Sequence, residues 1–134
     1  MKRFAFSVLL AWALLATAVL AKDFPMTASP AVPSAKGKVS VDKDKNGNRK
    51  VKVEVKFLAQ PSALTPPQTG YVVWIQARGK DPENLGFLKV NGKLDGELQA
   101  TTPYDYFDIF VTGEGQTNPT GPAGPEVLRA SVQP

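Results

Sequence analysis

The sequence predicts an all-β protein: an immunoglobulin-like antiparallel β-sandwich of about seven strands, behind an N-terminal signal peptide. Three observations predict it. Apolar and polar residues alternate with a period of two along several short segments. Turn-forming residues separate those segments at regular intervals. No stretch after residue 22 sustains a helical period.

The 134-residue chain opens MKRFAFSVLLAWALLATAVLAKDFP. Lys2 and Arg3 give a cationic start, Phe4 to Ala21 carries no charge, and the run ends in small residues. This is the layout of a secretory signal, with cleavage expected after Ala21 and cleavage after Ala18 as the alternative. The run would also serve as an uncleaved anchor, since a spanning helix needs roughly 17–25 residues. In either case the domain beyond the apolar run is expected outside the cytoplasm. Residues 22–134 match one domain of the usual ~100–150 residues. With no cysteine in the chain, that domain must rely on packing rather than disulfides.

Residues 22–35 (KDFPMTASPAVPSA) contain Pro25, Pro30 and Pro33 and read as a flexible lead-in rather than a strand. The sandwich is expected from residue 36 to 134. Its clearest element is KVSVDKDKNGNRKVKVEVKF. Val51, Val53, Val55 and Phe57 share one face, while Lys50, Lys52, Glu54 and Lys56 share the other. Val39 and Val41 mark a partner strand, and Asn46-Gly47 between them is a strong hairpin signal because both residues tolerate positive φ. Next comes a proline-rich connection. YVVWIQAR (Tyr71 to Arg78) is β-branched and aromatic almost throughout, the mark of a central strand covered on both faces. Trp74 is expected in the core.

LGFLKV (85–90) is a short strand, and Asn91-Gly92-Lys93 predicts a second hairpin turn. LDGELQATT then directs Leu94, Leu98 and Ala100 inward. YFDIFVTG places Phe107, Ile109 and Val111 on one face, and EVLRASV does the same with Leu128, Ala130 and Val132. A small closed barrel is the competing architecture.

Composition excludes several functions. The net charge is +4, and falls to +2 once Lys2 and Arg3 are removed. That excess is too small to indicate nucleic acid. It lies mainly between Lys36 and Lys56, on what reads as the outer face of an edge hairpin. With neither His nor Cys, the common nucleophile–base pairs and zinc sites cannot form. No phosphate loop is present, and no cofactor is expected.

Three groups of side chains remain as candidates. Asp42, Asp44 and Asn46, followed by Gly47, fit the start of a calcium loop. The twelfth position from Asp42 is Val53 rather than Glu, and Lys43, Lys45, Arg49 and Lys50 crowd the segment with positive charge. It reads as a turn, and as a weak calcium candidate at most. Asp105 and Asp108 lie close together as a candidate carboxylate pair, but Asp108 alternates with Phe107 and Ile109 and should point into water. Tyr104, Tyr106 and Phe110 form a candidate interaction surface. The competing reading has Phe110 buried by two-sided packing and the tyrosines half-covered.

Four motifs in order carry a resemblance. Tyr71, Val72 and Trp74 form a Tyr-Val-x-Trp strand; Gly86 and Leu88 form a Gly-x-Leu strand. Val111, Thr112 and Glu114 form a strand ending Val-Thr-x-Glu, and Pro119, Gly121, Pro122 and Leu128 form a closing Pro-x-Gly-Pro segment. Together these resemble the C-terminal extracytoplasmic domain of the anti-sigma-K factor family, over roughly residues 70–132. The resemblance implies a bacterial β-sandwich outside the cytoplasmic membrane, with no catalytic residue. That family's cytoplasmic sigma-binding segment has no counterpart in this sequence, so a stand-alone domain is expected.

The expectation is an exported, non-enzymatic binding, interaction or sensory module. Its partner would be a protein or envelope ligand and not nucleic acid. Membrane contact is expected only if the N-terminal run is retained. The alternatives are an anchored regulator of sigma-factor signalling acting through a partner, and a carboxylate-based hydrolase.

Overall fold

The computed structural model describes residues 21–134. The signal peptide expected over residues 1–21 therefore lies, apart from Ala21, outside the described residues. The described chain forms nine strands: β1 (Lys22–Pro25), β2 (Thr27–Ala28), β3 (Lys36–Lys43), β4 (Arg49–Lys56), β5 (Gly70–Ala77), β6 (Glu83–Leu88), β7 (Gly96–Thr102), β8 (Phe107–Glu114) and β9 (Glu126–Val132). They build two antiparallel sheets packed as a sandwich. One has four strands in the order β1-β3-β4-β7, the other five in the order β2-β9-β8-β5-β6. The chain crosses between sheets from β4 to β5, from β6 to β7 and from β7 to β8, so consecutive strands repeatedly alternate layers, as in immunoglobulin-like folds.

The alternating pattern of the first hairpin is realised directly. Val39 and Val41 on β3 pair with Val53 and Val51 on β4, and all four are buried. Burying each valine stabilises the fold by about 1.5–3 kcal/mol. The turn between them bends at Gly47, whose φ of +80° suits a residue without Cβ. The alternation stops one residue earlier than the sequence suggests. Phe57, expected inward, has φ of 56° and is 57% exposed, while Leu58 takes the core position. The turn after β4 rotates the chain by one residue, and the amide of Leu58 fixes it there by donating to the carbonyl of Leu94.

Three further expectations are corrected. The lead-in over residues 22–35 is not a flexible tether. β1 pairs with β3 in one sheet, β2 pairs with β9 in the other, and Val32 and Ala35 are buried in the core. The prolines mislead because an edge strand tolerates a missing N–H, and Pro25 ends β1 on an edge. The segment thus stitches one side of the sandwich.

Second, the lysine-rich hairpin β3–β4 lies in the interior of its sheet, flanked by β1 and β7. Its lysines occupy the solvent face rather than an edge. Lys52 reaches Glu54 at 2.9 Å and Glu97 at 3.6 Å, and Lys38 reaches Glu54 at 3.6 Å. Hydrogen bonding to Lys52 holds the Glu54 carboxyl below its ordinary pKa, and the same bond raises that of Lys52.

Third, Asn91-Gly92-Lys93 is a turn but joins no hairpin within a sheet. β6 pairs with β5 and β7 with β4, so this turn carries the chain between layers, with only an isolated bridge from Val90 to Gly96. Leu94, expected on the inward face of a strand, sits in this turn at φ of 64°.

Between the sheets lies the main core, which includes Tyr71, Val73 and Ile75 of β5, Ile109 and Val111 of β8, and Leu128 and Val132 of β9. Tyr71 is fully buried and its hydroxyl donates to the Ala59 carbonyl at 2.7 Å. Trp74 is fully buried but not between the sheets. Together with Val72 and Phe110 it forms a second apolar cluster on the outer face of the five-stranded sheet. No helix among the described residues is long and apolar enough to cross a membrane.

Candidate functional site

Two places gather polar and aromatic chemistry. The first is the outer face of the five-stranded sheet. Trp74 and Phe110 are cross-strand partners with ring centroids 6.5 Å apart. Arg129, opposite Phe110 on β9, lays its guanidinium 4.3 Å from that ring's centroid. Two carboxylates hold the guanidinium there: Glu126 at 2.6 Å and Asp108 at 2.7 Å. Hydrogen bonding to Glu126, aided by Asp108, outweighs burial and raises the Arg129 pKa. Asp108 also accepts from the Ser131 hydroxyl at 2.8 Å.

The loop 115–125 closes over the tryptophan end of this layer. The indole Nε1 of Trp74 donates to Thr112 Oγ1 at 2.8 Å, and the Thr112 hydroxyl donates in turn to Glu114 Oε2 at 2.9 Å. The Glu114 carboxylate, only 2% exposed, accepts from the amides of Ala123 at 3.0 Å and Gly124 at 2.9 Å. Position 124 has no room for a side chain, because a Cβ there would collide with the carbonyl of Gly113. Asn84 adds a bond to the Pro119 carbonyl at 3.2 Å. A buried charge is tolerated only when hydrogen-bonded, and this one is bound through the loop's backbone. The arrangement is a latch that keeps the loop down.

The second place is the end of the sandwich where the β5–β6 and β7–β8 loops meet. Each tyrosine of PYDY is matched to a cation of RGK. Arg78 stands 5.0 Å from the centroid of Tyr106, and Lys80 stands 4.9 Å from that of Tyr104. The Tyr104 hydroxyl donates to Glu83 at 2.7 Å, and that bond raises the phenol's pKa. Between them Asp105 anchors the loop to Arg49 at 3.0 Å. Tyr106 remains 47% exposed. It borders an open cleft of about 280 Å³ whose polar lining includes Gln76, Arg78, Asp108, Ser131 and Gln133. Small-molecule sites run to roughly 300–1,000 Å³, so this cleft has room for a single sugar ring or a side chain and not for a large cofactor. Among the described residues Arg78 and Lys80 form no ion pair.

The sequence-predicted residues divide between these places. Tyr104 and Tyr106 come together at the sandwich end. Phe110 does not join them: it is buried between Trp74 and Arg129 on the outer face of the sheet. Asp105 and Asp108 do not converge either, since one binds Arg49 and the other Arg129. Asp44 closes its own turn, its Oδ1 accepting from the amides of Asn46 and Asn48, both at 2.9 Å. Asp42 lies on β3 opposite Lys50. No group of three or more acidic side chains among the described residues is placed to hold a metal. Sequence reasoning misses Arg78, Lys80 and Arg129, and names Glu114 only within a family motif. A cation-rich turn and an aromatic turn are visible as RGK and PYDY, but which loops meet depends on strand order.

No protein-family model matches this chain, and no curated protein matches it in sequence.

Proposed function

We propose that this chain is an exported, non-enzymatic binding module that engages a partner protein or envelope ligand through the Tyr104–Tyr106 end of the sandwich. The observation that carries the reading is the pairing of two tyrosines with two cations, Arg78 and Lys80, at one end of the sandwich, where Arg78 and Tyr106 also line a small polar cleft. Exposed cation–π contacts stabilise by only about 0.5–1 kcal/mol each, so four such side chains contribute little to folding. They do present tyrosine and arginine side chains, residue types enriched where proteins bind. Both candidate catalytic carboxylates are tied into ion pairs, which supports binding over hydrolysis.

The resemblance to the anti-sigma-K extracytoplasmic domain supports placement outside the cytoplasmic membrane and a sensory or interaction role. An N-terminal run retained as an anchor would put the same end of the sandwich at the disposal of a membrane partner.

The test is affinity capture from an envelope extract, comparing the native protein with an Arg78→Ala/Tyr106→Ala variant. The proposal expects a specific partner with the native protein and at least a tenfold loss with the variant. Equal capture by both would refute the assignment of this end.

A further inference from the structure

The sandwich has four strand edges, and three are guarded. β1 is four residues long and ends in Pro25. β2 is two residues long. β6 pairs with β5 through a register shift at Val73/Trp74, a bulge that twists the edge away from a regular ladder. Short strands, prolines and bulges are the devices that stop a sheet from adding a further strand. β7 has none of them. It runs seven residues, GELQATT, with no proline, lysine or arginine, and its ladder with β4 is unbroken. Among the described residues its other edge meets only the single bridge from Val90 at Gly96, so Glu97 to Thr102 have no strand beside them. Leu98 and Ala100, on its core-facing side, are only half-buried.

We propose that β7 pairs antiparallel with β7 of a second copy of this chain, joining two four-stranded sheets into one of eight. The occupant is argued from the sequence of the strand itself. Overlap of residues 97–101 with the same residues of the other copy centres the two-fold axis on Gln99. That register sets Glu97 against Thr101 of the other copy, Leu98 against Ala100, and Gln99 against Gln99. No like charges meet, and the half-covered Leu98 and Ala100 are shielded by each other. Sliding the register to bring Glu97 against Glu97 would place like charges opposite, which cross-strand pairing disfavours. An interface of one strand edge is small, so the association is concentration-dependent.

The register gives a charge test that spares the monomer. Thr101 faces Lys50 within its own chain, and Glu97 faces Glu54. Thr101→Glu therefore gains an attraction inside the chain while setting two Glu–Glu contacts across the two-fold axis. Adding Glu97→Lys restores opposite charges across the axis, while within the chain it exchanges the ion pair with Lys52 for one with Glu54. Analytical ultracentrifugation of the exported domain is expected to show a monomer–dimer equilibrium. Thr101→Glu should weaken it about fivefold or more, and the double variant should recover it. A native protein monomeric at every concentration overturns the proposal. So does a dimer indifferent to Thr101→Glu, which would place the contact elsewhere.

Discussion

The latch at Glu114 makes a sharp prediction. Replacing Glu114 by Ala removes the acceptor for three donors: the Thr112 hydroxyl and the amides of Ala123 and Gly124. Hydrogen bonds to a charged group are each worth about 1.5–3 kcal/mol. The full sum is not lost, because Ala123 is exposed and its amide can turn to water, whereas Thr112 is only 2% exposed. One buried donor orphaned and two loop bonds released cost about 3 kcal/mol, a midpoint lowered by roughly 10 °C for a domain of this size. The loop 115–125 should lift as well. Trp74 is the only tryptophan after residue 21, so its fluorescence reports the loop directly. Glu114→Ala should shift its emission to the red under native conditions and increase amide exchange of Ala123 and Gly124. A variant of unchanged stability, with blue emission and unaltered exchange, would show that the carboxylate does not hold the loop.

Leu58→Ala should cost about 2–5 kcal/mol by denaturant titration, while Phe57→Ala should cost under about 0.5; the reverse order would restore an uninterrupted β4 alternation through Phe57. Burial pushes the Tyr71 phenol up to about 12 from its ordinary 10. In that window the unfolded chain releases a proton that the native one retains, so stability is complete below pH 10 and declines as pH rises towards 12. The loss totals roughly 3 kcal/mol relative to Tyr71→Phe, and parallel pH curves for the two proteins would contradict it. Millimolar calcium should leave the thermal midpoint unmoved, because the Asp44 carboxylate oxygen Oδ1 already serves the turn's own amides; a raised midpoint would reveal a calcium site there.

Alternation along β3, β4 and β9 is legible in the sequence because one face of each is more open than the other, and along β8 because its covered outer face still carries the polar Asp108, Thr112 and Glu114. β5 is legible as central for the opposite reason: with both faces covered it reads as continuous apolar sequence. Phe57 and Leu94 escape because a single residue at positive φ shifts the register, and nothing in composition marks a Phe or Leu for that conformation. β1 and β2 escape because proline argues against strand in general, while the exception for edges requires knowing which strands are edges. Phe110 is consistent with either an exposed or a buried position on sequence alone, since its cover comes from Arg129, far downstream in the chain. The interaction end is half legible. The tyrosines stand out, and their cationic partners become visible only when strand order brings the β5–β6 and β7–β8 loops to one end.

The claim that this end is the binding face can be tested by placing a photo-crosslinking amino acid at Tyr106 in one protein and at Lys56 in another. Lys56 is exposed at the opposite end of β4 from Arg49, the residue that binds Asp105 between the tyrosines. Irradiation in an envelope extract is predicted to yield a discrete adduct from position 106 and none from position 56. An adduct confined to position 56 would contradict the assignment.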